Sequence, residues 1–180
     1  MRIKAETSTL LIIDIQARLL PAIQNSAELA ENALWVQQVA QRIGVPVLLT
    51  EQYSKGLGQT IPSVRDGHPA SAIIEKLHFS AVSEGELFKR AGGDRTQFVV
   101  CGSEAHVCVL QTVLDLLALG RQVFVVAEAV GSRQAADKAL ALARMQQAGA
   151  SIVSREMVAF EWLGQAGNPL FREVSKTFIR

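Results

Sequence analysis

Three side chains stand out by type and position. Asp14 follows the apolar run Leu10 to Ile13, Lys76 closes Ile73-Ile74-Glu75-Lys76, and Cys108 is separated from Gly102 by five residues. A carboxylate directly after an apolar run is expected inside the protein, where it needs a cation or a proton, and Lys76 is the plausible cation. Cys108 opens a strongly apolar segment, Val107 to Leu119, and so stands at the expected N-terminus of a core helix. There the helix N–H groups and macrodipole favour a thiolate, and a neighbouring lysine lowers the thiol pKa further. The same N–H groups can hold a developing oxyanion. Together the three read as nucleophile (Cys108), base (Asp14) and orienting charge (Lys76). The competing reading is structural: a buried Asp–Lys pair adds little net stability, and buried cysteines, Cys101 among them, are usually inert.

Such a trio meets only if the fold brings three distant segments together. Short runs rich in β-branched residues alternate with helical patterns, which implies a parallel sheet covered on both faces. Strands are expected at Ser8–Ile13, Val45–Thr50, Ala72–Glu75, Gln97–Gly102, Gln122–Ala127 and Ser151–Ser154. Helices are expected at Glu28–Ile43, Glu84–Ala91, Val107–Leu119 and Gln134–Gln147, each with glycine just beyond its end, as left-handed caps require. Asn168-Pro169 reads as an N-cap and first-turn proline, opening a last amphipathic helix with Lys176 and Arg180 near its negative end. The expected fold is therefore α/β: three layers, a doubly wound six-stranded sheet in the order 3-2-1-4-5-6, and a single domain over residues 1–180. In such sheets ligands bind beyond the strand C-termini, where the winding reverses between strands 1 and 4. The 21 residues from Glu51 to Ser71 carry three glycines and two prolines and read as a lid or binding loop.

Composition narrows the partners. The 18 basic and 17 acidic residues nearly cancel, and no basic run is interleaved with aromatics, so nucleic-acid binding has little to rest on. A small-molecule substrate is the default. The two cysteines do not make a secreted disulfide framework, and the longest strand-like apolar run is interrupted by Asp14, so neither export nor membrane spanning is supported and a cytoplasmic location is expected.

The residues also resemble a known group. Leu11-Ile12-Ile13-Asp14-Ile15-Gln16, Pro46-Val47-Leu48-Leu49-Thr50-Glu51-Gln52-Tyr53 with Gly56-Leu57-Gly58, Glu75-Lys76-Leu77-His78-Phe79-Ser80, and Gly102-Ser103-Glu104-Ala105-His106-Val107-Cys108-Val109 are similar, in order and spacing, to motifs of the isochorismatase-like cysteine hydrolase superfamily. They most resemble the branch of YcaC and the animal isochorismatase-domain proteins. The resemblance implies an Asp14, Lys76, Cys108 triad. It also implies a non-proline cis peptide near Ser103-Glu104 that sets backbone N–H groups around Ala105 and Cys108 as an oxyanion hole. Gln16, Gln52, Tyr53 and Phe79 are expected to line the substrate pocket. Nicotinamidases of this superfamily place an Asp and two His between the second strand and the lysine; here that stretch offers only Asp66 and His68, so no metal and no cofactor are expected.

His106 lies two residues before Cys108, a spacing that shares no helix face, and is expected to hydrogen-bond the turn rather than form a Cys–His dyad. Members that cleave the enol ether of isochorismate do not require the cysteine, so its presence favours amide or related C–N chemistry through a thioester. A homo-oligomer is expected. Three alternatives stand beside this reading: a non-catalytic interaction protein on the same fold, isochorismatase-type ether hydrolysis, and a nucleotide-binding Rossmann protein. The last is disfavoured because no glycine-rich turn follows the first strand.

Overall fold

Successive residues of a strand point to opposite faces, and in the first strand both faces are apolar: Leu10 and Ile12 join one buried cluster, Leu11 and Ile13 another. Such a strand must lie between two layers. The computed structural model describes residues 1–179. Strands β1 (Ser8–Ile13), β2 (Val47–Gln52), β3 (Ile73–Lys76), β4 (Gln97–Ser103), β5 (Gln122–Gly131) and β6 (Ser151–Val153) form one six-stranded parallel sheet in the order β3-β2-β1-β4-β5-β6.

The helices are α1 (Ser26–Ile43), α2 (Ser54–Leu57), α3 (Pro62–Arg65), α4 (Leu110–Ala118), α5 (Ala135–Gln147), α6 (Arg155–Leu163) and α7 (Pro169–Val174). Residues of α1, α6 and α7 pack with Leu10, Ile12, Val99 and Phe124 on one face. Residues of α4 and α5 pack with Leu11, Ile13, Val100 and Val125 on the other. Strand order and layering match the expectation.

Several boundaries differ for physical reasons. β2 begins two residues later than expected because Val45 belongs to the preceding helix end, its N–H donating to Ala40 O (2.9 Å), while Pro46 has no N–H to donate. It then runs on through Glu51 and Gln52, which pair with Glu75 and Lys76 of β3. The helix expected at Glu84–Ala91 does not form. Gly85 is left-handed (φ 77°), Glu84 turns its carboxylate onto the Leu77 and His78 N–H groups, and only a 3-10 turn at Leu87–Lys89 remains. Conversely, Ser154 is not the end of β6 but the cap of α6, its hydroxyl accepting from Met157 N (3.1 Å).

The expected loop from Glu51 to Ser71 is partly ordered into α2 and α3, with Thr60 bridged to Gln16. The last helix starts at Pro169 under an Asn168 cap and ends in a π turn, Ser175–Ile179; Arg180 lies outside the described residues. No helix among the described residues is long and apolar enough to cross a membrane.

β4 leads to the winding reversal through Gly102. At φ 126°, a Cβ there would stand 2.0 Å from Ile13 O, so only glycine lets β4 pass β1 at this point.

Candidate active site

The C-terminal ends of β1, β3 and β4 deliver Asp14, Lys76 and the turn bearing Cys108 to one edge of the sheet. Asp14 adopts a left-handed conformation (φ 49°) immediately after β1, with its N–H donating to Thr50 O (3.2 Å). Its side chain is fully buried and both carboxylate oxygens are engaged. Oδ1 accepts from Thr50 Oγ1 at 2.6 Å, and Oδ2 accepts from Lys76 Nζ at 2.7 Å.

Lys76 is equally enclosed. Its ammonium also donates to Gln52 Oε1 (2.6 Å), Phe79 O (3.0 Å) and His78 O (3.3 Å). A buried ion pair is tolerable when its remaining hydrogen-bonding capacity is met, and here the lysine has an oxygen for every proton.

Between β4 and α4 the chain makes a π turn, Ala105–Val109, that holds Cys108. The Glu104 carbonyl caps this turn, accepting from Val107 N and Val109 N (both 3.1 Å). Among the described residues the N–H groups of Ala105, His106 and Cys108 donate to no backbone acceptor outside the turn. The Ser103–Glu104 peptide is cis, and Ser103 Oγ donates to Asp14 O at 2.8 Å, tying β4's end to β1's.

The electrostatics of Cys108 differ from the expected thiolate. Burial first, and then the negative charge of Asp14, push its thiol up to about 12, while Lys76 pulls in the opposite direction. The residue is only 5% exposed, and desolvation of the anion outweighs what the turn and the lysine offer. At rest Cys108 is a thiol beside an Asp–Lys pair. Cys101, on the far face of β4, is driven up still more strongly by burial, as its inert reading requires.

The other expected residues divide. Gln16 is fully buried and its amide is spent: Oε1 accepts from Gln52 N (2.7 Å), and Nε2 donates to Gln52 O (3.0 Å) and Gly58 O (2.6 Å). It thereby ties the exit of β1 to Gln52 and to the segment that follows β2. Gln52 is also committed, holding Lys76 through Oε1 and Leu77 O through Nε2 (2.7 Å). Tyr53 and Phe79 remain about half exposed beside the site, and a depression of ≈ 400 Å³ bounded by Tyr53, Lys55, Glu75, Leu77 and Glu84 opens next to Lys76. Glu104 turns aside to Arg133 (3.0 Å). His106 is paired through Nδ1 with Ser132 Oγ (2.9 Å).

Thr50 was not anticipated, although a hydroxyl residue paired in register with Ile13, one step before the aspartate, is the available signal. Among the described residues no group of three or more His, Cys, Asp or Glu is placed to hold a metal ion.

This doubly wound sheet, with a cysteine, an aspartate and a lysine at its point of reversal, is the architecture of the isochorismatase-like cysteine hydrolases. Residues 8–157 match the family described as Isochorismatase domain, and the chain belongs to that family. Isochorismatase domain-containing protein 2A of Mus musculus is 36% identical over 175 residues, covering 97% of this chain and 84% of its own. The Homo sapiens protein 2 is 35% identical over the same shares. Among solved structures, the MAR1 ribonuclease of Caenorhabditis elegans superposes with a TM-score of 0.91 at 33% identity, covering 100% of this chain and 93% of its own. The Escherichia coli YcaC protein, described as an octameric hydrolase of unknown specificity, shares the fold at a TM-score of 0.91 and 24% identity, over 99% and 91% of the two chains.

Proposed function

We propose that this family member hydrolyses a small amide or related C–N bond through a thioester on Cys108. The observation that carries the reading is the buried Asp14–Lys76 pair, fixed at 2.7 Å and acting electrostatically on the Cys108 thiol.

Because the thiol is protonated at rest, attack and deprotonation occur together. Sγ adds to the carbonyl carbon as its proton passes to Asp14, and the oxyanion forms against N–H groups of the turn. The C–N bond then breaks and Asp14 returns the proton to the departing amine, leaving a thioester. Water adds to the thioester while Asp14 takes its proton, the C–S bond breaks as Asp14 returns that proton to Sγ, and a carboxylic acid is released. Lys76 holds Asp14 in place and offsets its charge; Tyr53 and Phe79 line the approach.

Neighbours inform the partners. YcaC of Pseudomonas aeruginosa has been seen with covalent acrylamide, a small amide electrophile, and the E. coli protein is octameric, which supports a homo-oligomer here. The C. elegans relative is called a ribonuclease, but 18 basic against 17 acidic residues give this chain little net attraction for a polyanion, and a small neutral substrate fits better.

The test is a panel of small aliphatic and aromatic amides, followed by ammonia or amine release. Turnover by the native protein and none by Cys108→Ser is the expected result. Equal release by both would sink the proposal.

A further inference from the structure

The nucleophile and the lysine reach the site from different segments, and something must set the distance between them. Lys76 is held from behind by the carbonyl of Phe79, at the start of the loop that leaves β3. The next residues of that loop are fastened to α4. Ala81 N–H donates to Thr112 Oγ1 at 3.0 Å, Ser80 Oγ donates to Asp115 Oδ2 at 2.6 Å, and Ser83 Oγ donates to the same oxygen at 3.2 Å. Thr112 is fully buried, and its own hydroxyl proton goes to the carbonyl of Cys108 at 2.7 Å.

A threonine bonding back to the carbonyl four residues earlier is common in helices. What is particular here is that the same oxygen simultaneously receives the loop's N–H, so one atom joins the nucleophile's backbone to the segment that positions the lysine. Thr112 and Asp115 are three apart and share a helix face, so together they grip consecutive residues of the loop.

We propose that Thr112 and Asp115 form a clamp that fixes Lys76 relative to Cys108, Thr112 being the positioning residue of the catalytic trio. The inference rests on the triad reading given above. Neither residue touches the thiol or the carboxylate; the clamp acts through the Phe79 carbonyl at one end and the Cys108 carbonyl at the other. Reactive geometry is sensitive to displacements of about 1 Å, so losing the shared hydroxyl should tell on the reactivity of Cys108.

The experiment measures the rate of Cys108 modification by acrylamide, followed by mass spectrometry on the full chain. Thr112→Val keeps shape and removes the hydroxyl; it should slow modification at least about tenfold, and Thr112→Ser, which restores the hydroxyl, should stay within about threefold of the native rate. Lys76→Met should slow modification on its own, and in that background Thr112→Val should add less than about threefold, because the clamp works through the lysine.

A Thr112→Val rate within about twofold of native, or an undiminished effect of Thr112→Val without Lys76, overturns the clamp. If Thr112→Val does not fold, Ser80→Ala decides: slowing that disappears in the Lys76→Met background supports the clamp, and a native rate rejects it. A native rate in Lys76→Met itself would reject the triad reading and the clamp together, whereas a slow Lys76→Met with a native Thr112→Val rejects the clamp alone.

Discussion

Replacing Asp14 by Asn should make Cys108 easier to ionise while abolishing turnover. The two effects run in opposite directions because Asp14 does two things to the thiol. Its charge is the second-largest cause, after burial, of a thiol pushed up to about 12 from an ordinary 9.0, and the same carboxylate is the proposed acceptor of the thiol proton. At pH 8 a thiol at about 12 is ionised to roughly one part in 10⁴, against about a tenth for one at 9.0. Asn removes the charge and leaves Lys76 anchored by Gln52 Oε1 and the Phe79 carbonyl, so the thiol should move down by about one to three pH units. The assay is thiolate ultraviolet absorbance against pH, each protein read against its Cys108→Ser counterpart to remove Cys101. No Cys108 step should appear in the native protein up to about pH 10, whereas in Asp14→Asn the step should begin at lower pH than in the native protein. A native step complete below pH 8 would show a resting thiolate and refute the concerted attack; a step in Asp14→Asn no lower than the native one would refute the electrostatic assignment.

Lys76→Met leaves a fully buried carboxylate without its cation and should cost about 3–5 kcal/mol in urea unfolding, most of it recovered in the Asp14→Asn/Lys76→Met double variant; equal losses in both would mean the pair is not coupled. Gly102→Ala forces a Cβ to within 2.0 Å of Ile13 O and should lower stability by more than about 4 kcal/mol or prevent folding, a claim that a near-native thermal midpoint would contradict. Gln16→Ala should raise amide hydrogen exchange across residues 52–60 while β1 and β4 keep their protection, since two hydrogen bonds with Gln52 and one with Gly58 are lost; unchanged exchange there would mean that these bonds do not hold the segment.

The sheet order and the meeting of Asp14, Lys76 and Cys108 were legible because the strands are buried on both faces and read as near-continuous apolar runs, so a polar residue at a run's end has few places to go. The helix expected at Glu84–Ala91 failed where two glycines left too short a stretch and Glu84 found backbone donors outside it. The helix α6 was legible in principle from Ser154 followed by Val158, Ala159, Trp162 and Leu163 on one side, but was obscured by counting Ser154 into the strand. The state of the thiol was not legible at all. Local sequence supplies the turn and the lysine, both of which favour the anion, whereas the opposing burial comes from residues brought in by the whole fold. The internal partners of Gln16 and Gln52 were hidden for the same reason, since the carbonyls and ammonium they meet are brought to them by the fold.

The passage from β3 to β4 divides the reactive groups between two lengths of chain. Everything through Lys76 supplies the Asp14–Lys76 pair and a half-sheet ending in the bare side of β1; everything from Gln97 supplies Cys108 and a half-sheet ending in the bare side of β4. On the proposed mechanism, a nascent polypeptide carries no reactive centre until its second half has docked. A protein severed within that passage would be a natural two-fragment reporter, mute as separate pieces and recovering the chemistry of one sulfur only when the seam between β1 and β4 closes.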